Sequence, residues 1–169
     1  TVESSTAIVI RMADGRLDRY AWAVLTGWSP PTGIFNTLID NGDGTYSLKL
    51  KDQTRYNFGT SGQLASIVDR NNNAVTLTYT GDNLTTITDP SGRNFILAYD
   101  GNNHLTSATD SSSRQVVFGY NASGQLTSVT DPRNKLTTYG YDANGRLVSL
   151  PDANLNAQFL LTYDQDGKV

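Results

Sequence analysis

Short runs in which apolar and polar residues alternate recur along the chain, and most of them end in an aromatic residue. Alternate side chains of such a run share one face of a β-strand, because successive strand side chains point to opposite faces. No stretch shows the 3.6-residue period of an amphipathic helix. The pattern therefore predicts an all-β chain, in which five runs end at Tyr79, Tyr99, Tyr120, Tyr141 and Tyr163.

These tyrosines follow one another at intervals of 20, 21, 21 and 22 residues. A fixed period of this length indicates a repeat architecture in which each unit packs against its neighbours. After the aromatic residue, each unit continues with an Asx or small polar residue and a turn. Gly62, Gly124 and Gly145 occupy the turn position at which we expect a positive φ.

The units at 99–105, 120–126 and 141–147 resemble the YD repeat of the RHS family; the last of them reads Tyr-Asp-Ala-Asn-Gly-Arg-Leu. That family includes bacterial RHS proteins, shell-forming subunits of insecticidal toxin complexes, and teneurins. The resemblance implies an antiparallel meander of tandem β-hairpins that forms a curved, shell-like or partly closed sheet. It assigns tandem repeats to 58–169, the last one truncated, and leaves 1–57 as N-terminal β-hairpins that lead into them.

The N-terminal part shows two local signals. Residues 6–24 predict a hairpin with a type I′ turn at Asp14-Gly15, because this dipeptide accepts positive φ readily. Residues 26–36 contain two adjacent prolines, which supply no backbone donor, so this segment is predicted to be a loop rather than the interior of a strand.

Within each repeat the first strand departs from strict alternation. Leu126 and Val129, for example, are three residues apart and would face opposite sides of a regular strand. We expect either a β-bulge that returns both side chains to one face or a sheet that is covered on both sides.

Composition narrows the classes of partner. The net charge is −3 and no basic run is present, so a nucleic-acid-binding patch is not expected. Cysteine is absent, and no apolar run approaches the roughly 18 residues of a membrane span.

The chain does not begin with Met and stops within a repeat, so we expect a piece of a longer polypeptide. The resemblance implies a secreted or cell-surface protein of bacterial origin.

Few residues suggest chemistry. His104 is the single histidine and takes a repeat position that Gln125 and Arg146 fill elsewhere, which predicts a solvated residue on the turn side. We predict no catalytic residue, no metal site and no cofactor. The recurrent aspartates stand at one repeat position and favour turn chemistry over acid catalysis; they are Asp69, Asp89, Asp110, Asp131 and Asp152.

The sequence thus favours a non-catalytic structural segment of a larger RHS/YD-repeat protein. Such a segment would contribute to a shell or stalk that encloses or presents another domain, a toxin or an effector. Its partners would be the remainder of the parent polypeptide or the cargo domain. Two alternatives stay open: an adhesion or carbohydrate-binding module that contacts glycans through an exposed Trp28, and a sheet that self-associates through its edges into oligomers or filaments.

Overall fold

The structure, a computed structural model, describes residues 7–23, 26–151, 158–164 and 166–168. None of these residues is helical, so the described part of the chain has no helix that could cross a membrane. Two predicted features lie outside the described residues. They are the end of the first hairpin at residue 24 and the turn role of Asp152.

Seventeen strands are described. The first six are β1 Ala7–Arg11, β2 Leu17–Ala23, β3 Gly27–Ser29, β4 Thr37–Asp40, β5 Tyr46–Lys49 and β6 Arg55–Phe58. The next eight are β7 Leu64–Val68, β8 Ala74–Thr80, β9 Asn83–Thr88, β10 Asn94–Tyr99, β11 Leu105–Thr109, β12 Gln115–Tyr120, β13 Leu126–Thr130 and β14 Leu136–Thr138. The last three are β15 Gly140–Tyr141, β16 Leu147–Pro151 and β17 Gln158–Leu160.

Each strand pairs with the strands that precede and follow it in its sheet. The order is β1-β2-β3 in one sheet, β4 through β14 without a crossover in an 11-stranded sheet, and β15-β16-β17 in a third. Sequential pairing of this kind is an antiparallel meander, so the predicted all-β meander is confirmed. Contacts divide the chain into two compact units, Thr1–Thr78 with Thr88–Gly92, and Tyr79–Ile87 with Arg93–Val169.

The first unit contains a conventional hydrophobic core. Ile10 and Tyr20 come from β1 and β2, and Leu38 and Leu48 come from β4 and β5; all four are buried. Partly buried apolar side chains pack around them, among which Trp28 lies on β3. Burial of this kind is the main source of stability in small β-domains.

In the second unit, by contrast, no described side chain is fully buried. Its repeat positions are half-buried: Phe118 and Tyr120 on β12 alternate with the exposed Val117. The predicted alternation is therefore present. The boundary between hairpins and repeats at 57/58 stays a prediction.

The irregular first strand of a repeat contains the predicted β-bulge at four places. Gly119 pairs with Ser128, whereas the next residue, Tyr120, pairs with Leu126, so one residue of β13 is left unpaired. This extra residue allows Leu126 and Val129 to face the same side. The same register shift occurs where β6 meets β7, where β10 meets β11 and where β15 meets β16.

Two local predictions for the N-terminal part are wrong. Of Asp14 and Gly15 only the glycine has positive φ, 83°, so the turn is not type I′, which needs positive φ at both residues. Residues 27–29, predicted to lie in a loop, form strand β3 paired with β2. The strand ends at Ser29, immediately before Pro30, so the prolines lie beyond it and remove no hydrogen bond from it.

A third prediction is partly wrong. The alternating run over 137–141 predicts one strand, but the structure divides it at Tyr139 between β14 and β15. The backbone N–H of Tyr139 still donates to the Thr127 carbonyl at 2.9 Å. Tyr139 therefore stays hydrogen-bonded to β13, although it belongs to neither assigned strand.

Candidate functional site

The hairpin turns of the repeats follow one plan, which the turn 142–146 illustrates. The N–H of Asp142 donates to the Arg146 carbonyl at 2.9 Å, and the N–H of Gly145 donates to the Asp142 carbonyl at 3.0 Å. Gly145 has a φ of 79°. This is a three-residue hairpin loop that ends in a left-handed residue. The same pair of bonds occurs in the turns at 12–16, 50–54, 59–63, 69–73, 100–104, 110–114, 121–125, 131–135 and 164–168.

Where the first residue of such a turn is Asp or Asn, its side chain accepts hydrogen bonds from the backbone of the turn. Asp142 Oδ1 accepts hydrogen bonds from the N–H groups of Asn144 and Arg146, both at 2.9 Å. The neutral Asn121 makes the same pair of bonds to Ser123 and Gln125, both at 3.0 Å. The side-chain oxygen thus satisfies two donors that the tight loop leaves without a backbone acceptor.

Hydrogen bonding of these carboxylates favours their charged form. The backbone N–H of Arg146 lowers the pKa of Asp142, and the guanidinium hydrogen bonds of that arginine lower it further. For Asp110, the side-chain hydrogen bond from Arg114 is the main reason that the pKa is low. These aspartates are therefore negatively charged turn anchors. A general acid would need its pKa raised instead.

Each of four repeat tyrosines connects the end of its run to the strand that precedes that run in the chain. The hydroxyl of Tyr120 donates to the Leu105 carbonyl at 2.9 Å, which lies 15 residues earlier. This hydrogen bond, here called the tyrosine latch, recurs from Tyr99 to Leu84, from Tyr141 to Leu126 and from Tyr163 to Leu147, at 2.9, 2.9 and 2.7 Å. The acceptor is each time the leucine that opens the first strand or follows its first residue.

Successive repeats also contact one another through the fifth and last residue of each five-residue turn. The ring of His104 stacks on Tyr120 with centroids 4.8 Å apart, and its Nδ1 lies 3.0 Å from Asp100 Oδ2. In the next turn Gln125 Nε2 donates to the Gly145 carbonyl at 2.9 Å. In the third, the guanidinium of Arg146 lies 4.6 Å from the ring centre of Tyr163. Three different side chains thus join one turn to the following repeat.

The site residues singled out from the sequence lie as follows. The indole of Trp28 is half-buried against Trp22 and Tyr46, with ring centroids 5.2 and 6.2 Å away, rather than exposed. Its role in sugar binding stays a prediction, and so does pairing through sheet edges. His104 is on the turn side as expected, although it is half-buried rather than solvated. The three turn glycines for which we expected a positive φ have one, with Gly62 at 80°, Gly124 at 76° and Gly145 at 79°.

Sequence reasoning missed the tyrosine latch and the turn-to-turn contacts. A signal for the latch was present: four successive units place tyrosine, not phenylalanine, at the same position. A hydroxyl retained on a half-buried ring usually has a hydrogen-bond partner. The contacts of His104, Gln125 and Arg146 had no common sequence signal, because the three side chains differ in type and in the kind of contact they make.

One groove lies within the second unit, between the turns 121–125 and 142–146. Its volume is about 450 Å³. Its polar groups already bond within the protein: Gln125 Nε2 to Gly145, Tyr141 Oη to Leu126, and Asn121 Nδ2 to Gln125 Oε1 at 2.9 Å. The groove therefore offers few free groups to a ligand. Among the described residues, no three His, Asp or Glu side chains converge as a metal site requires.

Charge is distributed unevenly between strands and turns. None of the described strands from β7 to β17 contains an Asp, Glu, Lys, Arg or His residue. Ile96, Val117 and Leu136, three aliphatic residues of these strands, are 52%, 41% and 58% exposed. The charged residues of this region that the structure describes lie outside the strands, in and beside the turns. The repeat sheet thus has uncharged faces and a charged rim of turns.

Comparison with protein families gives a match over this region. A model of the RHS repeat matches four overlapping segments, 60–94, 79–115, 99–133 and 120–154. Each matched segment spans more than one of the hairpins described above. A comparison with curated protein sequences finds no match.

Solved structures with the same fold come from toxin complexes. The chain is similar to a chain of the TcdB2-TccC3-Cdc42 crystal structure, with 17% identity and a TM-score of 0.54, over 95% of this chain and 10% of that one. It is also similar to a chain of the Photorhabdus luminescens Tc holotoxin pore, with 15% identity and a TM-score of 0.51, over 99% of this chain and 11% of that one. The chain therefore spans about a tenth of the length of these structurally similar chains.

Proposed function

Because the chain belongs to the RHS repeat family, we propose that it is a non-catalytic wall segment of a larger secreted bacterial protein. In this role its sheet lies against other protein surfaces and helps to enclose or present a toxin or effector domain. The similar toxin-complex chains, about ten times longer, support a setting of this kind. The partners are accordingly the rest of the parent polypeptide and its cargo.

The observation that carries this proposal is the absence of charge from the described strands β7 to β17. A sheet with one face in water usually has polar and charged residues on that face. Here Val117 and Leu136 are exposed on one face, and the half-buried Phe118 lies on the other. Exposed apolar residues grouped on one surface favour a contact with another protein surface. The turns, which carry the charge, are suited to face water.

A charge placed on either face tests the proposal in the full-length parent protein. Val117→Arg adds a cation to one face, and Thr137→Arg adds one to the other. If a face lies against enclosed or neighbouring protein, the buried cation weakens that contact, because an unpaired charge is costly to desolvate. We expect the variant on that face to expose the enclosed domain to protease, measured as the rate of cargo cleavage.

Ser112→Arg is the matched control, since Ser112 lies in the exposed turn 110–114. It should leave the cleavage rate at the wild-type value. Protection lost for one face variant identifies the contacting face, and protection lost for both indicates contact on both sides. Cargo cleavage at the wild-type rate in both face variants would contradict the proposal.

A further inference from the structure

A basic groove lies in the first compact unit, away from the repeat faces considered above. Its volume is about 190 Å³. The turn 50–54 connects β5 to β6, and the turn 69–73 is the next turn at the same end of the strands. The groove is formed where these two turns lie side by side. The lining residues are Lys49, Gln53, Arg55, Asp69, Arg70 and Asn72.

Two of the cations oppose each other. Lys49 and Arg55 are direct partners across β5 and β6. Like charges in this arrangement destabilise a strand pair. Arg55 Nη2 donates to Asn72 Oδ1 at 3.1 Å, which ties its guanidinium to the neighbouring turn. Within the described residues, neither Lys49 nor Arg55 forms an ion pair.

The carboxylate that lines this groove belongs to Asp69, and it accepts hydrogen bonds from its own turn. Asp69 Oδ1 accepts from the N–H groups of Asn71 and Asn73 at 2.8 and 2.9 Å, and Oδ2 accepts from Asn73 Nδ2 at 2.8 Å. Arg70 lies next to Asp69 in sequence but forms no ion pair with the described residues. Three cations and one engaged carboxylate leave the groove with a net charge of +2, in a chain whose net charge is −3.

Arginines in other turns are neutralised by the turn's own aspartate. Arg114 lies 2.6 Å from Asp110, and Arg146 lies 2.7 Å from Asp142. Arg133 and Asp131 form the same kind of pair at 3.1 Å. Arg70, which also lies in a turn, differs from these three arginines because it forms no ion pair with the described residues.

We propose that the basic groove binds a tetrahedral dianion, a phosphate or sulfate group. Two guanidinium groups and one ammonium group provide only hydrogen-bond donors there, and guanidinium matches the oxygens of such anions in pairs. A dianion balances the excess charge of +2 and relieves the repulsion between Lys49 and Arg55. The groups that would hold it are the side chains of Lys49, Arg55 and Arg70.

NMR titration of the whole chain with inorganic phosphate tests the proposal. The Nε–Hε signals of Arg55 and Arg70 should shift and saturate. Sulfate should reproduce the shift, and sodium chloride and sodium acetate at matched ionic strength should not. Comparison of the phosphate and sulfate midpoints identifies the preferred anion. A response that is linear in concentration, or is equal for chloride or acetate, would overturn the proposal.

Arg55→Gln separates binding from folding. This change removes one of two opposed cations, so the variant should be at least as resistant to unfolding as the wild type at low salt. It should also lose the saturable response. Arg114→Gln is the control, because Arg114 already pairs with Asp110; it should keep the response at the wild-type midpoint. An unchanged phosphate midpoint in Arg55→Gln would refute the assignment.

Thermal unfolding gives a second readout. Phosphate at about ten times its dissociation constant should shift the folding equilibrium of the first unit about tenfold toward the native state, since the ligand binds that state. The shift should disappear in Arg55→Gln. Failure of this test would leave the proposed wall function untouched, because that function rests on the uncharged strands of the repeats.

Discussion

Residues 7–58 contain the four fully buried apolar side chains of the described chain, whereas residues 94–141 contain none. Both regions are antiparallel meanders with the same five-residue turns. The first encloses Tyr20 and Leu48 between strands of two sheets. The second depends on contacts that recur along the sheet: paired strands, turn carboxylates and tyrosine latches. Similar hairpins can therefore be stabilised by burial or by repetition.

The difference matters for cooperativity. In a core, each side chain touches many others, so the loss of one affects the whole unit. In a repeat ladder, each contact joins neighbouring units, and stability is close to a sum of local terms. Substitutions in the two regions should therefore differ in the size of the stability loss and in how far that loss spreads along the chain.

Truncation in the core should have the largest effect. Leu48 is 1% exposed, so Leu48→Ala should lower the free energy of unfolding by about 2–5 kcal/mol. Val129→Ala, at a half-buried repeat position, should cost about 1 kcal/mol, because less surface is lost from the folded state. Urea denaturation measures both. Equal losses would mean that the repeat region has a core of comparable tightness.

An added methyl group tests the close approach of repeat strands. In Gly119→Ala the new Cβ would collide with Ser128 Oγ, so we expect a loss of about 1–3 kcal/mol in unfolding free energy. Ser128→Ala should restore most of it, since the Ser128 Cβ lies 3.6 Å from the new atom. Gly101→Ala is the control, with nothing within 4 Å. A fully stable Gly119→Ala protein would argue against close strand contact.

The tyrosine latches should contribute in equal steps. Each Tyr→Phe change removes one hydroxyl bond to a carbonyl and should cost about 0.5–1.5 kcal/mol. Hydrogen exchange should show each loss near the altered repeat rather than across the chain. Tyr139→Phe is the control, because its hydroxyl has no partner among the described residues. Exchange that rises uniformly would indicate that the repeats unfold as one body. The four changes are at Tyr99, Tyr120, Tyr141 and Tyr163.

Acid should weaken the turns by a smaller amount. The pKa values of Asp100 and Asp142 lie below the ordinary value of 3.8, chiefly because the backbone N–H groups of His104 and Arg146 bond to them. Groups with a lowered pKa stabilise the fold at neutral pH and lose that contribution as the pH falls through their folded pKa. The unfolding free energy should therefore be level from about pH 7 to 5 and fall below about pH 4.

Asparagine can replace these aspartates, because Asn121 already fills the same turn position. Asp100→Asn and Asp142→Asn should fold and should show a shallower decline in acid. The measurement is urea denaturation at a series of pH values. An acid decline identical to that of the wild type would show that the turn carboxylates are not its source.

Much of the fold could be predicted from spacing alone. The interval between tyrosines gave the repeat, and alternation within each run gave the strands. The three-residue separation of Leu126 and Val129 pointed to the bulge, because a regular strand cannot place both on one side. These features follow from local geometry that recurs from unit to unit. The sequence signal for each of them is therefore present several times along the chain.

Features without a clear local sequence signal were harder to predict. Asn72 and Ser113 have φ angles of 66° and 62°, although glycine is the usual marker of that conformation. Their turns are recognisable only from the aspartate three positions earlier. Trp28 was misplaced because Pro30 and Pro31 suggested a loop, although the short strand β3 ends before them. The ring of Tyr46, on another strand, packs against Trp28, and nothing in the sequence near Trp28 indicates this contact.

The tyrosine latch has a consequence for how such a chain can change in length. The acceptors Leu105 and Leu126 both begin a Leu-Thr-Ser triplet, 21 positions apart. Excision of 106–126 would place Tyr141 15 positions after Leu105, which is the separation that Tyr120 now has. Unequal recombination within the gene could thus remove or duplicate a whole unit and leave each remaining hydroxyl with an acceptor.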